Sequence, residues 1–349
     1  MRKLLWLLLL LSGCTGSSEP PLSGLLAVAS GTQLVLYVAS SLQPESTTPF
    51  NGPLATWTLP APIQDLLVAQ GGQTLWVLTS NEVLSYPLGG LSLTSAPQPA
   101  PITSLNPPSS CSGGYLRGGI ASFLVVCPSS TGTTLELVSY AQPSTPTPIP
   151  AEGLLPGQTS FTPLPPDTRY ALGPNDGLLY VSSQDAVLGY DPTPTNPNPS
   201  NPANLSLSFS GGTPQDLVDL NGTVQILATS STSATLDTWN VTSSPPSSAS
   251  IPLLPLASPP THIDPGGVLV GGTGFFLESG SSLNSPPANS PLANFTFTAG
   301  LVSPDQFLYL VGPSGITCVD LEVPNFASSQ TNPLPSGASP VALAFFTVS

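Results

Sequence analysis

Few side chains in this chain are equipped for chemistry. Its 349 residues include one histidine, four cysteines, 18 acidic residues and four basic ones. The histidine stands in Thr261-His262-Ile263-Asp264-Pro265. A His–Asp pair with a serine could perform acyl transfer, but residues two apart on a strand share a face without meeting as a relay. No strained G-x-S-x-G turn accompanies them, so no catalytic residue is assigned and His262 reads as a polar residue of a turn or channel wall. Zinc takes three or four N or S ligands, which one histidine and scattered thiols do not supply, and no metal ligand is assigned. The carboxylates remain. Asp65 and Asp216 recur in the same Gln-Asp-Leu context entering an inner strand, where they are expected to face the channel, while Asp176, Asp264 and Asp305 are expected at the turns that follow inner strands. Such oxygen-rich positions can hold Ca²⁺ when loop carbonyls add ligands. Aspartate also favours turns by bonding its own backbone, so Asp65, Asp216, Asp264, Asp305 and His262 are carried as channel or ion-binding candidates. Calcium is the one cofactor considered, and otherwise none is expected.

The charge pattern narrows the partners. The formal net charge is −14, and two of the four basic residues are Arg2 and Lys3, so beyond them only Arg117 and Arg169 are cationic. A nucleic-acid protein needs clustered Lys and Arg along the phosphates, and nucleic acid is excluded as a partner. No P-loop or G-x-G-x-x-G before a helix offers a phosphate cradle. The 45 prolines and 32 glycines argue against long helices. With 40% hydrophobic residues the chain can nonetheless bury a core.

Residues 1–13 read as a leader: Arg2 and Lys3, then an apolar run from Leu4 to Leu11 too short to span a bilayer. Leu11-Ser12-Gly13-Cys14 resembles the lipobox of bacterial lipoproteins. The resemblance implies cleavage before Cys14, acylation of its thiol, residues 14–23 as a tether, and a protein held at the membrane outside the cytoplasm. Thr15 is not the aspartate that retains enterobacterial lipoproteins in the inner membrane, which favours the outer membrane where one exists.

The elements that must position the candidates repeat. Pairs of apolar runs joined by tight turns begin near 25, 75, 122, 178, 223, 267 and 307, each a β-hairpin pattern. Between them lie outer-strand patterns leading through prolines to new apolar runs, as in 54–59 to 63–68, 205–209 to 215–218, and 333–335 to 341–345. Four strands per period of roughly 40 to 55 residues indicate an all-β, seven-bladed β-propeller of four-stranded antiparallel blades over residues 24–349. The first unit lacks an inner strand, and Val341–Val348 is an inner strand lacking a hairpin, so the two ends complete one blade. Two β-sandwich domains are the alternative; they do not account for that split blade.

Ser303-Pro304-Asp305-Gln306-Phe307-Leu308-Tyr309-Leu310-Val311 resembles the S-P-D-G-x-x-L-Y-V repeat of YVTN-type propellers, with Gln306 at the turn glycine. Gly173–Val181 and Gly337–Leu343 are further similar stretches. Cys111 precedes an inner strand and Cys127 ends the next strand of its blade, so they are expected to form a disulfide outside the cytoplasm. Cys318 reads as a buried inert thiol. The Pro-rich stretches 142–166 and 192–202 are expected to be exposed connections. The expected function is a non-catalytic, lipid-anchored envelope protein, monomeric outside a complex, whose propeller binds a protein or glycan. The alternative is an extracytoplasmic lactonase-like or other hydrolytic enzyme on the same scaffold.

Overall fold

Hydrophobic runs here rarely alternate with polar residues, as in Leu25-Leu26-Ala27-Val28-Ala29, and the architecture explains why. A computed structural model describes residues 23–348, except 45, 70, 108–109, 131, 150–167, 174–176, 183–185, 191–204, 210–211, 231–232, 254–257 and 280–281. Its strands form seven four-stranded antiparallel sheets. Blade 1 contains β1 (Gly24–Ser30), β2 (Gln33–Val38) and β3 (Ala55–Thr58). Blade 2 is β4 (Ile63–Val68), β5 (Thr74–Thr79), β6 (Val83–Pro87) and β7 (Thr103–Leu105). Blade 3 is β8 (Tyr115–Gly118), β9 (Ser122–Ser129), β10 (Gly132–Ser139) and β11 (Thr147–Ile149). Blade 4 is β12 (Tyr170–Leu172), β13 (Leu179–Ser182), β14 (Ala186–Tyr190) and β15 (Leu205–Ser208). Blade 5 is β16 (Thr213–Asp219), β17 (Thr223–Thr229), β18 (Ala234–Asn240) and β19 (Ser247–Leu253). Blade 6 is β20 (His262–Asp264), β21 (Val268–Val270), β22 (Phe276–Ser279) and β23 (Ser282–Asn284). Blade 7 is β24 (Ala299–Val302), β25 (Phe307–Gly312), β26 (Gly315–Asp320) and β27 (Ser329–Asn332). The last strand, β28 (Pro340–Thr347), returns to blade 1 as its inner strand.

That return closes the ring. β28 runs antiparallel to β1 from Gly24↔Thr347 to Ser30↔Pro340. Each blade is covered on both faces by its neighbours, so both side-chain sets of a strand are buried. In β1, Leu25, Ala27 and Ala29 pack towards blade 2 with Leu66, Leu75 and Val77. Leu26 and Val28 pack towards blade 7 with Leu301, Tyr309 and Val311. Five further apolar clusters occupy the remaining blade junctions in order around the ring. A continuous run of seven packed junctions leaves no place for two separate sandwiches, and the chain is the expected seven-bladed propeller. All seven expected hairpins are present.

Three local expectations change. The outer strand of blade 7 is Ser329–Asn332, not 333–335, because Pro333 and Pro335 have no N–H to donate and the ladder stops before them. The Pro-rich stretch 142–166 contains the outer strand β11, which bonds β10 through Leu137↔Thr147 to Leu135↔Ile149. Asp264 is not a turn residue but the last residue of inner strand β20. Cys14 with residues 15–22 of the tether, Asp176 and the stretch 192–202 lie outside the described residues.

The candidate site: a hydrogen-bonded channel wall

The inner strands line a central channel, and their side chains do not point idly into it. Asp65 on β4 accepts the Leu66 N–H through Oδ1 (2.8 Å) and the Leu116 N–H of β8 through Oδ2 (2.8 Å). Asp216 on β16 repeats that geometry: Oδ1 accepts from its neighbour Leu217 (2.8 Å), and Oδ2 from Ile263 of β20 (2.8 Å). Both strands carry an irregularity just before the acid, where Gln64 or Gln215 is the additional residue. A bulge of this kind re-aims the following side chain. It turns the carboxylate sideways to the next blade, which is why Gln-Asp-Leu recurs.

The same clasp continues around the ring with other chemistry. Asp264 Oδ2 accepts the Gly300 N–H of β24 (2.7 Å). The Tyr115 hydroxyl accepts from Tyr170 N–H of β12 (3.1 Å), and Arg169 Nε donates to the Gln215 carbonyl of β16 (2.7 Å). Thr298 Oγ1, just before β24, donates to the Pro340 carbonyl of β28 (2.9 Å). Ile63 N–H donates to the Gly31 carbonyl and completes the circuit from blade 2 to blade 1. Every junction therefore has a direct hydrogen bond outside the strand ladders.

Arg117 reaches further. From β8 it crosses past blade 4 to β16, donating through Nη2 to Asp216 Oδ1 (2.6 Å) and through Nε to the Leu217 carbonyl (3.4 Å). Nη1 turns back to the Leu116 carbonyl (3.2 Å). The guanidinium also lies 4.3 Å from the Tyr115 ring centroid, a cation–π geometry. Burial opposes its charge, yet Asp216, Tyr115 and Asp65 outweigh burial and raise its pKa further. Burial in turn raises the Asp65 carboxyl, with Arg117 opposing. Asp264 is raised as well: burial first, and then Asp216 and Asp65, push it up to about 8, against the Gly300 N–H and Arg117.

A cavity of about 370 Å³ opens along this wall. Asp65, Arg117 and Asp264 line it, together with Leu67, Leu172 and Val341. Asp216, His262 and Arg169 are not among its lining residues. His262 begins β20 and is exposed; partial burial lowers its pKa, opposed by Asp216. Asp305 stands apart in the β24–β25 turn, where its Oδ1 accepts from Ser303 Oγ (2.6 Å) and its Oδ2 from Gln43 (3.3 Å). Among the described residues, no three His, Cys, Asp or Glu side chains stand close enough to share a metal ion. Cys111 and Cys127 form the expected disulfide in blade 3, with Cα atoms 4.7 Å apart. Cys318 is fully buried on β26, and burial pushes its thiol far up, as suits an inert packing residue.

Sequence reasoning reached the acids but not their partners. Tyr115 and Thr298 carry no motif. The arginines did offer a signal, since the only two cationic residues beyond the leader both belong to inner strands or their edges, Arg169 just before β12 and Arg117 within β8.

No family profile matches the chain, and no curated protein matches it. Solved structures do. A protein of unknown function from Desulfotomaculum acetoxidans aligns with a TM-score of 0.58 at 11% identity, over 93% of this chain and 99% of that one. A Lactobacillus plantarum protein aligns at 0.55 and 12% identity, over 93% and 99%. A 6-phosphogluconolactonase candidate from Bacteroides fragilis aligns at 0.54 and 10% identity, over 95% and 99%. At these identities the likeness is one of fold.

Proposed function

We propose that this chain is a non-catalytic, lipid-anchored protein of the cell envelope whose propeller is a binding or scaffolding platform for a protein or glycan. One observation carries the reading. Of the groups that catalysis would need together, Asp65, Asp216, His262 and Arg169, only Asp65 lines the cavity. Asp65 and Asp216 each have both oxygens engaged by backbone N–H groups, and Asp216 also holds Arg117. A carboxylate so engaged holds blades together, whereas a general base must reach its substrate's proton. The leader ending in Leu11-Ser12-Gly13-Cys14 supports an extracytoplasmic address.

The test has two arms. Affinity capture of the lipidated protein from native envelopes, followed by mass spectrometry, should recover an envelope partner above a tag-only control; a lactonase-like enzyme would instead open glucono-δ-lactone faster than buffer does. Recovery of no partner together with lactone opening would overturn the proposal. For the anchor, Cys14→Ser should leave the protein uncleaved or released from membranes, and unchanged membrane partitioning would overturn that part.

A further inference from the structure

The channel cavity has a composition that the binding-platform reading does not use. Arg117 is the one cation in its lining, and its charge is matched within the wall by Asp216. The remaining ionisable groups on the cavity are all carboxyls, those of Asp65, Asp219 and Asp264. Asp65 is engaged at both oxygens, but Asp264 is engaged at Oδ2 alone, and no hydrogen bond within the described residues reaches its Oδ1. Aliphatic side chains make up much of the rest of the lining, among them Leu67, Leu172, Val218 and Leu343. Val341 lies 45% exposed there, one of three large hydrophobics so exposed among the described residues. Apolar walls with a few placed polar groups, at a volume of at least about 300 Å³, are the ordinary make-up of a small-molecule site.

We propose that this cavity binds a small aliphatic amine in its ammonium form, the head group donating to Asp264 Oδ1 and the alkyl chain lying along Leu172 and Val341. A neutral alcohol would leave the acidic wall unmatched, and a carboxylate would be repelled by it. An inorganic cation would lack ligands, since no three acidic or His/Cys side chains converge among the described residues. Asp264 is the group whose protonation the ligand would alter. It is faced by the Asp216 and Asp65 carboxylates, the Arg117 guanidinium and the Gly300 N–H, and it is raised to about 8. Near neutral pH an incoming ammonium would therefore displace a proton from the Asp264 carboxyl, leaving an ammonium–carboxylate pair and one proton released to buffer. The proposal does not rest on the binding-platform reading, so failure of either leaves the other standing.

Titration calorimetry on the full chain tests it, with n-hexylammonium as the probe and 1-hexanol and hexanoate as controls. Hexylammonium should bind about tenfold or more tightly than hexanol, and hexanoate weakest. At pH 7 its binding heat should vary with buffer ionisation enthalpy as proton release requires, and affinity should rise towards pH 9. Asp264→Asn keeps an oxygen acceptor for Gly300 and should lose about tenfold in hexylammonium affinity. Val341→Ser should weaken hexylammonium a few-fold, and it decides the question if Asp264→Asn does not fold. Equal binding of hexanol and hexylammonium, no heat up to about 10 mM probe, or unchanged affinity in the folded variants would each overturn the proposal.

Discussion

Asp264 shows how one carboxyl can tie stability to pH. Its pKa in the folded chain is raised to about 8 by burial and by Asp216 and Asp65, against about 3.9 for an unfolded aspartate. The folded state therefore holds a proton that the unfolded state has released between those values. Stability from this group is fully present below about pH 4 and is lost as pH rises through about 8. The native chain should lose about 1–3 kcal/mol between pH 6 and pH 9 on this account. Asp264→Asn cannot ionise but can still accept the Gly300 N–H, so its urea midpoint should change less over that range and exceed the native one at pH 9. An equal loss in both proteins would mean that Asp264 is not the titrating group. The sequence placed Asp264 beside a turn proline and suggested a turn or an ion ligand. Its role depends on Gly300, 36 residues away, and no local pattern encodes that.

At the scale of the element, the hairpins were legible because blade strands are buried on both faces. Runs such as Leu75-Trp76-Val77-Leu78 and Leu308-Tyr309-Leu310-Val311 therefore stand out from the Ser, Pro and Gly around them. The outer strands were less so: Thr147-Pro148-Ile149 and Ser329-Gln330-Thr331-Asn332 are short and half exposed, and neither resembles an apolar run. The β24–β25 turn carries an element-scale cost that the sequence did mark. Gln306 sits at φ 62°, in the left-handed region where this turn's repeat usually has glycine. Its N–H still reaches the Ser303 carbonyl (3.1 Å), and its own carbonyl accepts from Leu321 (3.1 Å). Gln306→Gly keeps both backbone bonds and removes the side-chain strain, which costs about 1–2 kcal/mol. The greater freedom of glycine in the unfolded chain offsets about 0.4–1 kcal/mol of that gain. A net rise of about 0.5–1 kcal/mol in chemical-denaturation stability is expected; a loss would mean that the Gln306 side chain makes a contribution beyond its backbone.

At the scale of the whole molecule, closure matters more than any single blade. β1 has β2 on one side and β28 on the other, so removing the last strand exposes a long, apolar, fully buried edge. It also strips blade 1 of Ala342, Ala344 and Phe346, which pack with the first two blades, and of Leu343, which packs with blade 7. A bare flat edge of that kind templates pairing with other chains. A chain ending at residue 339 should therefore associate or aggregate, visible as loss of the monomer peak in size-exclusion chromatography. A synthetic peptide of residues 338–349 added during refolding should restore that peak, because the missing strand supplies both the ladder and the buried side chains. A Val341→Ser version of the peptide should rescue equally well, since that residue faces the channel cavity. A Phe346→Ser version should fail, since its ring is 2% exposed in the junction with blade 2. Full recovery with Phe346→Ser would show that backbone pairing alone closes the ring. A monomeric, fully folded 1–339 chain would show that six complete blades hold the seventh open without it.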